Sequence, residues 1–122
     1  MTTHDQLLAQ CQRIADELSN PLIVTESDLD YYPDAEVGDP ISASDYFDNC
    51  LSYDFTITGS GEYRSVEICM AFGGPGIWIN SGTGRVDGYW GEHITVPFND
   101  NIGVDDYFED LYNCTIGANL SN

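Results

Sequence analysis

Lysine is absent from this chain, and the only strong bases are Arg13, Arg64 and Arg85, set against 21 aspartates and glutamates. A surface so poor in cations cannot neutralise phosphates, so direct binding to DNA, RNA or an anionic membrane is not expected. Histidine is scarce as well, at His4 and His93 only. General acid–base and nucleophilic catalysis rest on a titratable group tuned by a partner, so this thin inventory argues against an enzyme. His4 reads as an exposed residue in the first turn of a helix, and His93 as part of a turn, Gly91-Glu92-His93.

Other absences narrow the field further. No stretch approaches the ~18 apolar residues of a membrane span, and the start MTTHDQLLAQ has no cationic segment leading into an apolar run. The expected location is the cytoplasm of a host bacterium. Cys11, Cys50, Cys69 and Cys114 lie far apart without a C-x-x-C pair, so neither a zinc site nor a disulfide framework is expected. Buried free thiols are the reading that remains. Gly73-Gly74-Pro75-Gly76 lacks the lysine and Ser/Thr of a phosphate loop, and no cofactor is expected.

What the chain does have is negative charge, a formal net of -18 over 122 residues, together with a hydrophobic fraction of 42%. Eight tyrosines, five phenylalanines and two tryptophans are more than a disordered acidic tail carries, so residues 1–122 should fold as one domain with a single core. Net charge this large strains a compact state by self-repulsion and favours a cationic partner.

The expected fold is α+β, a four-stranded antiparallel meander with an N-terminal and a C-terminal helix packed on it. The first helix runs from Thr3 to Ser19, with Thr3 and Gln6 spaced as a capping box and Leu7, Leu8, Cys11, Ile14, Ala15 and Leu18 as its apolar series. Asn20-Pro21 stops it, and Leu22 to Thr25 reads as a short strand. Residues 26 to 54 then hold nine carboxylates and no base. Most of that segment reads as an acidic surface loop, with Ser42 or Ser44 capping a short helix that turns Tyr46, Phe47, Cys50 and Leu51 inward.

From Tyr53 the period changes to two, and Ser60-Gly61 makes a hairpin into a second strand, Tyr63 to Ala71, with Val66, Ile68 and Met70 facing the core. Ile77 to Ile79 and Arg85 to Trp90 supply the third and fourth strands. A closing helix, capped by Asn99 or Asn101, runs through Asn113 with Val104, Phe108 and Leu111 inward, and Gly117 closes it. The last five residues are expected to be loose.

The stretch FGGPGIWINSGTGRVDGYWG resembles a segment that recurs in small phage and mobile-element proteins. Its glycines and proline permit sharp turns, and Trp78, Tyr89 and Trp90 read either as packing area or as a ligand-binding aromatic surface. The whole-chain composition resembles the acidic anti-CRISPR and anti-restriction inhibitors of phages and mobile elements, several of which imitate nucleic acid.

That resemblance implies a partner with a basic protein surface, a CRISPR–Cas effector or a restriction enzyme. The contacts are expected from Asp28, Asp30, Asp34, Glu36, Asp39, Asp45 and Asp48 in the central segment and from Asp105, Asp106, Glu109 and Asp110 on the last helix, all four of these exposed. Tyr31, Tyr32 and Tyr46 are the candidate aromatic anchors among them.

Three alternatives stand beside this one. An immunity- or antitoxin-type protein holding a private basic partner shares the same electrostatics. Adaptation to a salty cytoplasm also gives lysine-free acidic surfaces, although ten isoleucines and four cysteines fit it poorly. A calcium site would draw on Asp28, Asp30, Asp34 and Glu36, or on Asn99-Asp100-Asn101 with Asp105 and Asp106.

Overall fold

The computed structural model describes residues 2–117, so the loose end expected for the last five residues lies outside the described residues. Helix α1 spans Thr3–Ser19; its cap is one residue earlier than the spacing suggests, because Thr2 accepts from the Asp5 amide and Asp5 returns the bond to the Thr2 amide. Both residue pairs have the required spacing, but a capping residue must itself stay extended, and Thr2 does.

Residues Leu22 to Thr25 form no strand of the sheet. They make one bridge, Ile23 to Pro40, and the following Glu26–Asp30 coils into a 3₁₀ turn instead of a loop. Helix α2 is a single turn, Ala43–Tyr46, capped by Ser42. Phe47 behind it is buried, Cys50 is half-buried, and Leu51 faces solvent rather than the core.

The sheet has five strands rather than four: β1 Ser52–Ile57, β2 Tyr63–Ala71, β3 Gly76–Asn80, β4 Arg85–Tyr89 and β5 His93–Pro97, all antiparallel and in sequence order. The added strand begins at His93, so that residue leaves the turn assigned to it. Residues 93–97 are short and end on a proline, a pattern that signals a strand weakly and is tolerated at a sheet edge, where β5 lies. Helix α3 spans Val104–Cys114. Neither Asn99 nor Asn101 caps it. Asp100 accepts from the amides of Gly103, Val104 and Asp105 at 2.9, 2.7 and 3.2 Å, and Gly103 adopts a positive φ of 87°. Thr115, not Gly117, caps its end, with Oγ1 on the Leu111 carbonyl.

Register places Ile68 opposite Ile79, Ile79 opposite Val86 and Val86 opposite Val96, so one face of the sheet is an unbroken apolar row. Both long helices cover that face. At Gly88 of β4 an added Cβ would stand 2.5 Å from Cys11 Sγ and 2.9 Å from Leu7 Cδ1, so α1 approaches closely because glycine has no side chain. On the other side Phe108 of α3 packs on Tyr53, which pairs with Ile68. Met70 sits at an irregularity in the β2–β3 pairing and is only half-buried. In α3 the fully buried third position is Tyr112 rather than Leu111, an i+4 step from Phe108 in place of i+3, and its hydroxyl donates to the Gly61 carbonyl at 2.6 Å. Among the described residues the opposite sheet face carries no helix.

Candidate functional site

The charge divides with the layers. The sheet and its hairpin turns hold Asp54, Glu62, Glu67, Asp87 and Glu92 against Arg64 and Arg85. The other sixteen of the 21 carboxylates lie on the helices and the segments that join them, opposed by Arg13 alone. Burying a carboxylate without a partner is costly, and no charged side chain among the described residues is buried, so these groups face water.

The central segment and the last helix are neighbours in that layer. Phe47 after α2 meets Phe108 of α3 edge to face at 5.3 Å, and Tyr46 reaches α1 by donating to Glu17 Oε1 at 3.0 Å. Asp30, Asp34, Glu36, Asp39 and Asp48 from the segment are exposed, as are Asp106, Glu109 and Asp110 of α3.

Two acids expected on this surface, Asp28 and Asp105, have structural duties, and a third, Asp45, is half-buried. Asp28 Oδ2 accepts from the Thr25 amide at 2.8 Å and holds the 3₁₀ turn. Asp45 stands half-buried in the first turn of α2. Asp105 is half-buried rather than exposed, because Tyr63 of the sheet donates to its Oδ1 at 2.7 Å.

The tyrosines separate in the same way. Tyr31 is 82% exposed and free to anchor a partner, whereas Tyr32 and Tyr46 are half-buried against α1. Burial, with the Glu17 carboxylate beside it, pushes the Tyr46 phenol well above its ordinary value, and burial plus the Asp105 hydrogen bond does the same to Tyr63. Both phenols therefore act as neutral donors.

Among the described residues no group of three or more His, Cys, Asp or Glu is arranged to hold a metal ion. Several of the oxygens that made calcium plausible are engaged within the fold: Asp28 and Asp100 accept from backbone amides, and Asp105 accepts from Tyr63. The thiols are not uniformly buried: Cys11 and Cys69 are, Cys50 is half-buried and Cys114 is exposed. Burial raises the Cys11 and Cys50 thiols above their usual value, which keeps them protonated. His4 Nδ1 lies 2.6 Å from Glu92 Oε1 and His93 Nε2 lies 3.2 Å from Asp87 Oδ1, pairs that each join an exposed histidine to a carboxylate.

The uncovered sheet face carries the second concentration of chemistry. Phe72, Trp78, Tyr89 and His93 form a row of ring contacts across it, with centroids 6.4, 5.5 and 4.6 Å apart in that order. Trp90 is not part of the row and packs against the core. Glu67, Trp78, Asp87 and Tyr89 together line a cavity of about 320 Å³. Composition does not single out this cluster; the alternation of β2 and β4 would, once the strand pairing is known.

Among the described residues no helix is long and apolar enough to cross a membrane. Comparison with protein-family models, curated proteins and solved structures returns no match for the chain.

Proposed function

We propose that this protein is an inhibitor that binds the basic nucleic-acid-binding cleft of a bacterial defence nuclease, a CRISPR–Cas effector or a restriction enzyme, and keeps DNA out by imitating it. The observation that carries this reading is the segregation of sixteen carboxylates and one arginine into the helices and their connections. Duplex DNA carries one charge per ~1.7 Å, so a net charge of about -15 matches roughly 25 Å of duplex. A chain of this length has a radius of gyration of about 14 Å, so the charge is carried over a comparable span.

In this reading the phosphate-like contacts come from Asp30, Asp34, Glu36, Asp39, Asp48, Asp106, Glu109 and Asp110, all exposed. Asp28, Asp45 and Asp105 contribute field rather than direct contact, because they are half-buried. Tyr31 adds apolar area with a polar tip at the same surface. Charge of this kind speeds encounter and makes the complex salt-sensitive, while shape selects among basic proteins.

The test is competition. The purified protein is added to a CRISPR effector nuclease and, separately, to a restriction enzyme, each with labelled DNA, at 50 and at about 300 mM salt. Loss of DNA binding that weakens with salt is the expected outcome. If neither enzyme is affected but another basic protein from the same host is captured and held inactive, the immunity-type reading replaces this one.

A further inference from the structure

The helix-free face of the sheet holds two large aromatic rings in contact with each other and set among carboxylates. Trp78 of β3 pairs across the sheet with Asp87 of β4, and Tyr89 follows two residues later on the same face. The two rings meet at 77°, so they form two walls of an angular cleft, and Glu67 of β2 and Asp87 close its sides. Its volume of about 320 Å³ corresponds to some ten waters at ~30 Å³ each, room for a side chain and far more than a bare ion needs.

The carboxylates are open to a ligand. Asp87 pairs through Oδ1 with His93, and neither its other oxygen nor Glu67 has a hydrogen-bond partner among the described residues. Arg85 lies two residues from Asp87 on the same face and makes no ion pair with either acid. An aromatic wall attracts a cation through its negative π face, and a carboxylate pairs with a guanidinium in a planar fork. A planar guanidinium that stacks on a ring and forks to a carboxylate at once fits better than a compact ammonium, which is a point charge able to do neither.

We infer that this cleft is a socket for one arginine side chain projecting from the basic partner, with the guanidinium stacked on Trp78 or Tyr89 and paired with Glu67 and Asp87. The inference rests on the proposed binding of a basic protein surface and assigns that surface a second, specific contact apart from the acidic helices. It also gives the exposed Phe72, which leans on Trp78, a place at the rim of the contact.

The experiment titrates the whole protein with N-acetyl-arginine amide, with the uncharged citrulline analogue of the same shape and with N-acetyl-lysine amide. The readout is the indole N–H resonance of Trp78 by two-dimensional NMR, with that of Trp90 as internal control. A saturable shift at Trp78 alone is expected for the arginine compound, at least tenfold weaker for lysine and absent for citrulline. The double variant E67Q/D87N should lose the response while retaining the native spectrum elsewhere, and W78A should lose the same saturation as followed at the Tyr89 amide.

An equal response to citrulline, an equal response to lysine, or an unchanged response in E67Q/D87N overturns the socket. The two proposals fail separately. Nuclease inhibition without any arginine response removes the socket and leaves the inhibitor reading. An arginine response without inhibition of any basic nuclease does the reverse.

Discussion

The helical layer and the open sheet face solve opposite problems with the same residue types. On the helices and their connections, carboxylates are numerous, exposed and almost unopposed, so their effect is a field. On the open face they are few, and Glu67 and Asp87 stand beside Trp78 and Tyr89, so their effect is local and geometric. A field gives rate and reach, whereas a cleft of fixed shape gives selectivity. On the proposed reading, one small domain separates long-range attraction from recognition by assigning each to a different face.

The strongest test of that division is charge reversal confined to one layer. Replacing Asp106, Glu109 and Asp110 with lysine should weaken nuclease inhibition by at least ~100-fold at low salt, since attraction becomes repulsion over one helix. Asp105 is left in place because it holds Tyr63. The single reversal Asp54→Lys on β1 should cost less than any one of those three reversals made singly, by the same like-charge argument. Equal losses in a binding assay would show that the two regions do not differ in function.

The next largest effect falls where the layers meet. Gly88→Ala forces a methyl into the Cys11 and Leu7 side chains of α1 and should lower stability by about 1–3 kcal/mol, read from the urea midpoint. A midpoint that does not move would mean that α1 can lift from β4 at no cost, and the layers would be less firmly joined than the packing indicates.

Asp100→Ala acts on one layer only. It removes the acceptor for three amides at the start of α3, and a loss of about 0.5–2 kcal/mol is expected with no change at the open face. Amide exchange should quicken in α3 and stay unaltered in β3 and β4.

The smallest effect concerns pH. The Tyr46 and Tyr63 phenols tie the helical layer to itself and to the sheet, and both are raised above the ordinary value of 10.0. A raised phenol binds its proton more tightly when folded, so its contribution is complete below about pH 10 and is lost as pH climbs toward the folded value. Urea midpoints measured at pH 9 and pH 11 should fall with pH, and Y46F and Y63F should each flatten the fall. An unchanged slope in both variants would place the alkaline loss elsewhere.

How much of this was readable beforehand depended on the range of the interaction concerned. Helix α1 and strands β1 to β4 follow from apolar periods of 3.6 and 2, which are local patterns, and the hairpin at Ser60-Gly61 follows from turn chemistry. Strand β5 escaped because five residues ending in Pro97 carry too short a pattern, and only pairing with β4 makes them a strand. The caps of α1 and α3 were off by one to a few residues because several oxygen-bearing side chains flank each start. Backbone conformation at Thr2, and the side chain of Asp100 folding back onto three amides, selected among them.

For the candidate surface, the sequence by itself determined the charge, the absence of lysine and the crowding of acids between residues 26 and 54, since composition and order are all that a net field requires. Only the tertiary structure decided that Asp28 and Asp105 have structural duties, that Asp45 is half-buried, that Tyr31 faces water while Tyr32 and Tyr46 pack on α1, and that Trp78 and Tyr89 stand together with Glu67 and Asp87 on an uncovered face. The physical reason is that exposure and convergence are properties of pairs of elements. Residues 67, 78, 87 and 89 become neighbours only when three strands align in register and both long helices choose the other side of the sheet.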